Sequence, residues 1–314
     1  MENLIFSLNA TVPIFLTMLF GLFLGKIGMM DEAFNSKLNK FVFKVTLPVM
    51  LFQDLSQQNF HEAWDTKFVI FCFLVTVISI ASIWIFAVFF IERKVQGEFV
   101  QASYRSSAAI LGIAFIQNIY GNSGMAPLMI IASVPLYNIM AVTVLAFLKE
   151  DRGKLDKKLI TNTLKGIATN PIILGILIGL IWSLLAIPQP AIMQKTMKNV
   201  AVLTTPLGLM AMGASFDLKK AFNMVKPAMI STFIKLILLC AIFLPMAAAF
   251  GFRESKLIAI LVMLGSSTTV TSYIMAKNMG HEGTLCSAVV MLTTFGSAFT
   301  LTFWLFVLKS FGLI

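Results

Sequence analysis

The sequence predicts an all-α membrane protein: ten transmembrane helices in two inverted five-helix repeats. Three observations predict it. The composition is apolar and charge-poor, the apolar stretches number ten, and a proline and glycine register recurs after 158 or 159 residues.

Apolar residues make up 58% of 314 positions and charged residues only 12%. A soluble domain carries about 25% charged residues, so the solvent of this chain is the bilayer. Backbone in lipid must satisfy its own hydrogen bonds, which leaves helices or a closed barrel. Phe68–Ile91 and Pro227–Gly251 are long apolar stretches without alternation, which excludes a barrel.

In order, the spans are expected at 7–28, 36–56, 67–91, 99–120, 124–148, 164–186, 195–217, 227–250, 255–279 and 284–311. Each is near the 20 or so residues that cross a bilayer. The first lacks a basic segment before it and a cleavage site after it, so it reads as a retained span and not a signal peptide. The second and seventh begin polar, with Lys37, Lys40 and Lys44 in one and Lys195 and Lys198 in the other. Such helices suit the inside of a bundle beside water. The charged stretch 149–163 is a cytoplasmic linker between a first repeat, 1–148, and a second, 164–314.

The net charge of +10 is not a nucleic-acid signal, because the cations lie between apolar runs. Seventeen of the 24 Lys and Arg fall on one side of the expected topology and six on the other, with Lys235 inside a span. The positive-inside rule places the first side in the cytoplasm and both termini outside, in a multi-pass protein of the cell membrane. Cys72, Cys240 and Cys286 lie in apolar segments without metal-like spacing and read as buried free thiols.

Pro13 and Pro48 are 35 residues apart, as are Pro171 and Pro206. Gly21-Leu22 matches Gly179-Leu180 at a shift of 158, and Gly121 and Gly124 match Gly280 and Gly283 at 159. Five spans is an odd number, so a second copy enters the membrane inverted. Inverted repeats are common among secondary transporters, which bind substrate where broken helices meet near the midplane.

The fourth and ninth spans carry the polar residues this requires. The fourth reads Tyr104-Arg105-Ser106-Ser107 ahead of Gly112, and the ninth has hydroxyls at six of the seven positions 266–272. A single Ser or Thr bonds its own helix and is packing. At the shift of 159, Ser106 and Ser107 fall opposite Gly265 and Ser266, so the run that follows, Ser267, Thr268, Thr269, Val270 and Thr271, reads as a binding element at the repeat-equivalent place of that Ser pair. Hydroxyls and freed backbone N–H groups suit a carboxylate. Asn138 is either a helix–helix contact or a lining residue. Arg105 and Lys235 are candidate charge partners, but each lies within about two turns of a cytoplasmic end, where snorkelling is the expectation. Motifs for metal hydrolysis, phosphate cradling or a nucleophile elbow are missing, so neither an enzyme nor a cofactor is expected.

Leu47-Pro48 with Phe52, Tyr120-Gly121, Tyr137-Asn138, Asn170-Pro171-Ile172-Ile173, Ile187-Pro188-Gln189-Pro190, Thr205-Pro206-Leu207, Met212-Gly213 and Ala276-Lys277 follow one another along the chain. In these residues the chain resembles the auxin efflux carrier family, including its malate-permease-like bacterial branch. The resemblance implies a scaffold of spans 1, 2, 6 and 7, a transport domain of spans 3–5 and 8–10 in which helices 4 and 9 are broken and cross, and elevator-like movement of small carboxylates, often by dimers. It carries over as site residues Leu47 on the scaffold, Ser107, Gly112, Asn138 and 267–271. Family members usually have Asn at Ser107, Pro at Ala114, and prolines at Ser267 and Ser272.

The expected function is therefore a carrier for small organic anions such as malate or auxin-like acids, with the bilayer and the anion as partners and a homodimer as the assembly. A sodium-coupled symporter of the bile-acid type is the alternative within transport. A non-transporting receptor or anchor is the alternative outside it.

Overall fold

The computed structural model describes residues 2–57, 64–108, 116, 119, 125–149, 161 and 165–314. Gly112, Gly121, Gly124 and nearly all of the 149–163 linker lie outside them. The regular secondary structure of the described residues is all helical, with no strand among them.

Helix α1 (Glu2–Lys26) ends before Gly28, whose φ of +79° suits a residue without Cβ. Asp31 caps α2 (Glu32–Phe41) by accepting from the Phe34 N–H at 2.7 Å. A π turn, Val42–Thr46, then joins α2 to α3 (Leu47–Ser56). The cause is Pro48, which has no N–H and crowds the carbonyl four residues back; one wider turn relieves both. Helix α4 (Thr66–Phe90) is capped by Asp65. Helix α5 (Gln96–Tyr104) follows after a short 3₁₀ turn at Arg93–Val95. Helix α6 is Ala126–Phe147.

In the second half, Asn170 caps α7 (Pro171–Leu184) through the Ile172 N–H, with Pro171 where a missing donor costs nothing. Helix α8 (Ala191–Ala201) stops at Val202 and resumes as α9 (Thr204–Ala214). Pro206 explains that interruption, because its ring falls on the carbonyl of Val202. A short α10 (Leu218–Asn223) leads to α11 (Val225–Phe233), which a second π turn, Ile234–Leu238, links to α12 (Leu239–Ala249). Helices α13 (Glu254–Gly265), α14 (Thr271–Asn278) and α15 (Thr284–Ser310) complete the chain.

Among the described residues, four helical stretches are long and apolar enough to span a bilayer: Thr66–Phe90, Ala126–Phe147, Val225–Ala249 and Thr284–Ser310. At 1.5 Å per residue each exceeds the roughly 30 Å hydrocarbon thickness.

Helix α1 packs on α9, and α3 on α7. Glycines set the approach: a Cβ on Gly175 would lie 2.6 Å from the Pro48 carbonyl oxygen, and one on Gly213 would collide with the Met18 carbonyl. Close backbones of this kind are how helices gain contact in lipid, where apolar burial drives little. Helices α4, α5 and α6 pack together, as do α12 with α13 and α11 with α15. Glu98, buried in α5, accepts from the N–H groups of Gly283 (2.8 Å) and Cys286 (3.0 Å), so one carboxylate meets the positive end of α15.

Candidate functional site

The fourth and ninth segments both leave the helix in mid-course. Helix α5 ends at Tyr104 and residues 105–107 are unwound, while α13 ends at Gly265 and α14 begins only at Thr271. The two gaps touch. The Ser107 N–H donates to the Ser267 carbonyl at 2.9 Å. The Thr268 hydroxyl donates to the Ala102 carbonyl at 2.8 Å, and the Thr268 N–H donates to the Thr293 hydroxyl at 3.0 Å. Unwound backbone in an apolar surrounding must find such partners, and the hydroxyls of 266–272 help supply them.

Arg105 overturns the snorkelling expectation. It is extended (φ −67°, ψ 132°), so its side chain leaves the helix direction and turns inward. The residue is 2% exposed, and its guanidinium donates to Asn138 Oδ1 (2.6 Å), to Thr271 Oγ1 (2.8 Å) and to the Met275 sulfur. Asn138 is held in that orientation because its amide donates to the Val134 carbonyl at 2.9 Å. Thr271 passes its own proton to Thr269 Oγ1 at 3.2 Å. Arg105 Nε, in contrast, has no hydrogen-bond partner.

Lys235 does not snorkel either. The π turn directs it inward, where it is fully buried and donates to the Ser106 hydroxyl at 2.5 Å and to the Leu264 carbonyl. Ser106 in turn donates to the Met263 carbonyl, which also accepts from the Tyr137 hydroxyl at 3.1 Å. The ion pairs among the described residues, Lys94–Glu282 and Lys256–Asp65, involve neither Arg105 nor Lys235. Among the described residues, neither of these two buried cations is ion-paired to a carboxylate.

A cavity of about 40 Å³ lies against Arg105, Ser106, Ser107, Asn138, Thr269 and Thr271. On its far wall are Met50, Leu51 and Asp54 of α3. Met50 and Asp54 also line a larger cavity of about 760 Å³, whose wall includes Thr17, Gln53, Lys195 and Lys198. The two cavities thus share Met50 and Asp54 of α3 as a common wall. A third, of about 660 Å³, lies near Asp31, Lys40, Ser215 and Lys277 at the opposite end of the helices.

The structure gathers Arg105, Ser106, Ser107, Asn138, Thr269 and Thr271 around one space. Ser267 and Thr268 hold the crossing from behind through the bonds above. Val270 is buried near Gly208, and fully buried Leu47 does not line the space, where Met50, Leu51 and Asp54 one turn and more along stand instead. Gly112 lies outside the described residues. Met263, Met275 and Gln101 were not singled out from sequence. Gln101, whose amide donates to the Ser272 carbonyl at 2.9 Å, was the most legible of these, being a polar residue inside an apolar span.

Long apolar helices around a buried polar crossing define a multi-pass membrane protein built to pass polar solutes. Comparison with known proteins agrees. The family model described as membrane transport protein matches residues 6–305. Three relatives, each named "Uncharacterized transporter YfdV" (Escherichia coli K12, Escherichia coli O157:H7 and Shigella flexneri), are 23% identical over 309 residues, covering 97% of this chain and 98% of theirs. The chain belongs to the auxin efflux carrier family of membrane transporters.

Proposed function

We propose that the protein is a secondary carrier for small organic anions, carboxylates of the malate or auxin-like type, and that it binds them at the crossing beside Arg105. One observation carries the proposal: the Arg105 guanidinium is buried, lines the cavity, and meets only neutral partners. A buried cation whose hydrogen-bond partners are all neutral is costly, and intramembrane charges of this kind mark substrate paths; Asp54 stands across the same cavity. A carboxylate entering the cavity supplies the missing charge, with the free Nε and the Ser107 hydroxyl as further donors.

The ten spans then form two inverted repeats. The scaffold is α1, α2–α3, α7 and α8–α9, and the transport domain is the remainder. The tight pairing of α1 with α9 and of α3 with α7 supports a rigid scaffold. Between the two groups, the Asn278 amide donates to the Asn39 carbonyl at 3.1 Å, on the side the lysine count assigns to the cytoplasm. The 760 Å³ cavity lies at the other end. A cavity thus lies at each end, and of the two only the 760 Å³ one shares wall residues with the crossing, while Asn39 and Asn278 line the 660 Å³ one. That asymmetry fits a carrier whose site faces outward, with both termini outside and movement of the transport domain as the access step. Lys195 and Lys198 then stand at the outer entrance, where they draw anions in.

The test is counterflow in proteoliposomes with labelled malate and labelled indole-3-acetate. Saturable uptake of either, lost in Arg105→Gln, is expected. Uptake of amines or neutral amino acids in place of both acids would overturn the anion assignment.

A further inference from the structure

Lys235 has a second consequence for this carrier, one that rests on the anion-carrier function proposed above. Its ammonium reaches the Leu264 carbonyl, one residue before α13 ends at Gly265. The last carbonyls of a helix have no partner in a following turn and carry its partial negative charge. Here the following residues are unwound, and the Met263 and Leu264 carbonyls are satisfied from outside by Ser106, Tyr137 and Lys235. Two carbonyl oxygens and the Ser106 hydroxyl thus gather at the negative end of a broken helix.

That is the donor set carriers of inverted-repeat architecture use for a coupling cation: unwound carbonyls and half-helix C-termini hold sodium or a proton. In this chain the space is filled from within. The π turn Ile234–Leu238 inserts one extra residue per turn and brings Lys235 to face α13. No ion pair to Lys235 competes with these oxygens among the described residues. Ser106 connects the two charges, since it accepts from Lys235 while its neighbours Arg105 and Ser107 line the anion cavity.

We propose that the Lys235 ammonium is a resident cation occupying the position of a coupling sodium at the carbonyl end of the broken ninth segment, so that the carrier works without sodium. Removing the ammonium then leaves an oxygen-lined vacancy that a sodium ion enters.

The experiment uses the full-length protein in detergent, with sodium chloride titrated against choline chloride at constant total chloride and no organic anion present. The wild type is expected to melt at the same temperature in both salts. Lys235→Ser is expected to melt several degrees lower in choline and to recover part of that loss, saturably, as sodium rises. Lys235→Met fills the space without leaving oxygen ligands free for an ion, and is expected to be destabilised with no recovery. A saturable sodium-dependent rise in the wild type would overturn the proposal. So would a Lys235→Ser protein indifferent to sodium, or lost on purification in both salts; its recovery in sodium alone would support it. Sodium is the only variable ligand, so the outcome is independent of whether the anion assignment holds.

Discussion

The backbone N–H of Ser107 donates to the backbone carbonyl of Ser267 at 2.9 Å, between residues 160 positions apart in sequence. Only unwound chain can make this bond, because a helix commits its interior N–H and C=O groups to itself. Ser107→Pro removes the donor and strands a buried carbonyl, a loss of about 1–3 kcal/mol. Ser107→Ala keeps the bond. In thermal unfolding, the proline variant should melt clearly lower and the alanine variant near wild type, while Ser107→Ala should weaken anion binding because Ser107 lines the cavity.

Thr268 ties the same crossing through its side chain. Thr268→Ala leaves the Ala102 carbonyl without its 2.8 Å donor and should cost about 1–2 kcal/mol, whereas Thr268→Ser, which retains the hydroxyl, should recover most of it. Melting temperatures of the three proteins, compared at one detergent concentration, check the order.

Gly213 is a test of the α1–α9 contact. Its Cβ would meet backbone, the Met18 carbonyl, which cannot move aside as a flexible side chain can. Gly213→Ala should destabilise by about 1–3 kcal/mol and Gly213→Val by more. Gly166→Ala is the control, because nothing lies near the position its Cβ would take.

Asp65 sits outside the spans and accepts from Lys256 Nζ at 2.6 Å and from the Phe68 N–H at 3.0 Å. Lys256 first, then the helix N-terminus, holds its carboxyl below the ordinary value of 3.8. A depressed folded value means stabilisation that is present above the unfolded value and is lost as pH falls through the folded one. Asp65→Ala should cost about 0.5–2 kcal/mol at pH 7, mostly as the lost cap. Asp65→Asn should cost less, since the exposed ion pair is worth about 0–1 kcal/mol. Melting curves from pH 7 to pH 3 should show the gap between wild type and Asp65→Ala narrowing below about pH 4.

Much of this was legible from residues alone. Pro48 and Pro206 announce the disturbed second and seventh segments, because the loss of an N–H is a local property. The hydroxyls of 266–272 announce the interrupted ninth, because no apolar helix needs six of them. What stayed hidden depends on geometry acquired only on folding. Arg105 and Lys235 read as snorkelling cations by their distance from helix ends. Each turns inward because of a backbone event, an extended residue in one case and a π turn in the other, that side-chain identity does not encode. On α3, the site is reached by Met50, Leu51 and Asp54 and not by Leu47, because they stand one to two turns further along the same helix face. The close approach of Gly213 to Met18 depends on a partner almost 200 residues away.

The most direct measurement is the thermal stability of the purified protein against a panel of small carboxylates, for wild type, Arg105→Gln and Arg105→Lys. A ligand at a hundred times its dissociation constant adds about 2.7 kcal/mol of apparent stability. A buried guanidinium awaiting an anion predicts that at least one carboxylate raises the wild-type melting temperature, that Arg105→Gln abolishes the rise, and that Arg105→Lys retains part of it. No response to any carboxylate, or a full response in Arg105→Gln, would contradict an anion site at the crossing.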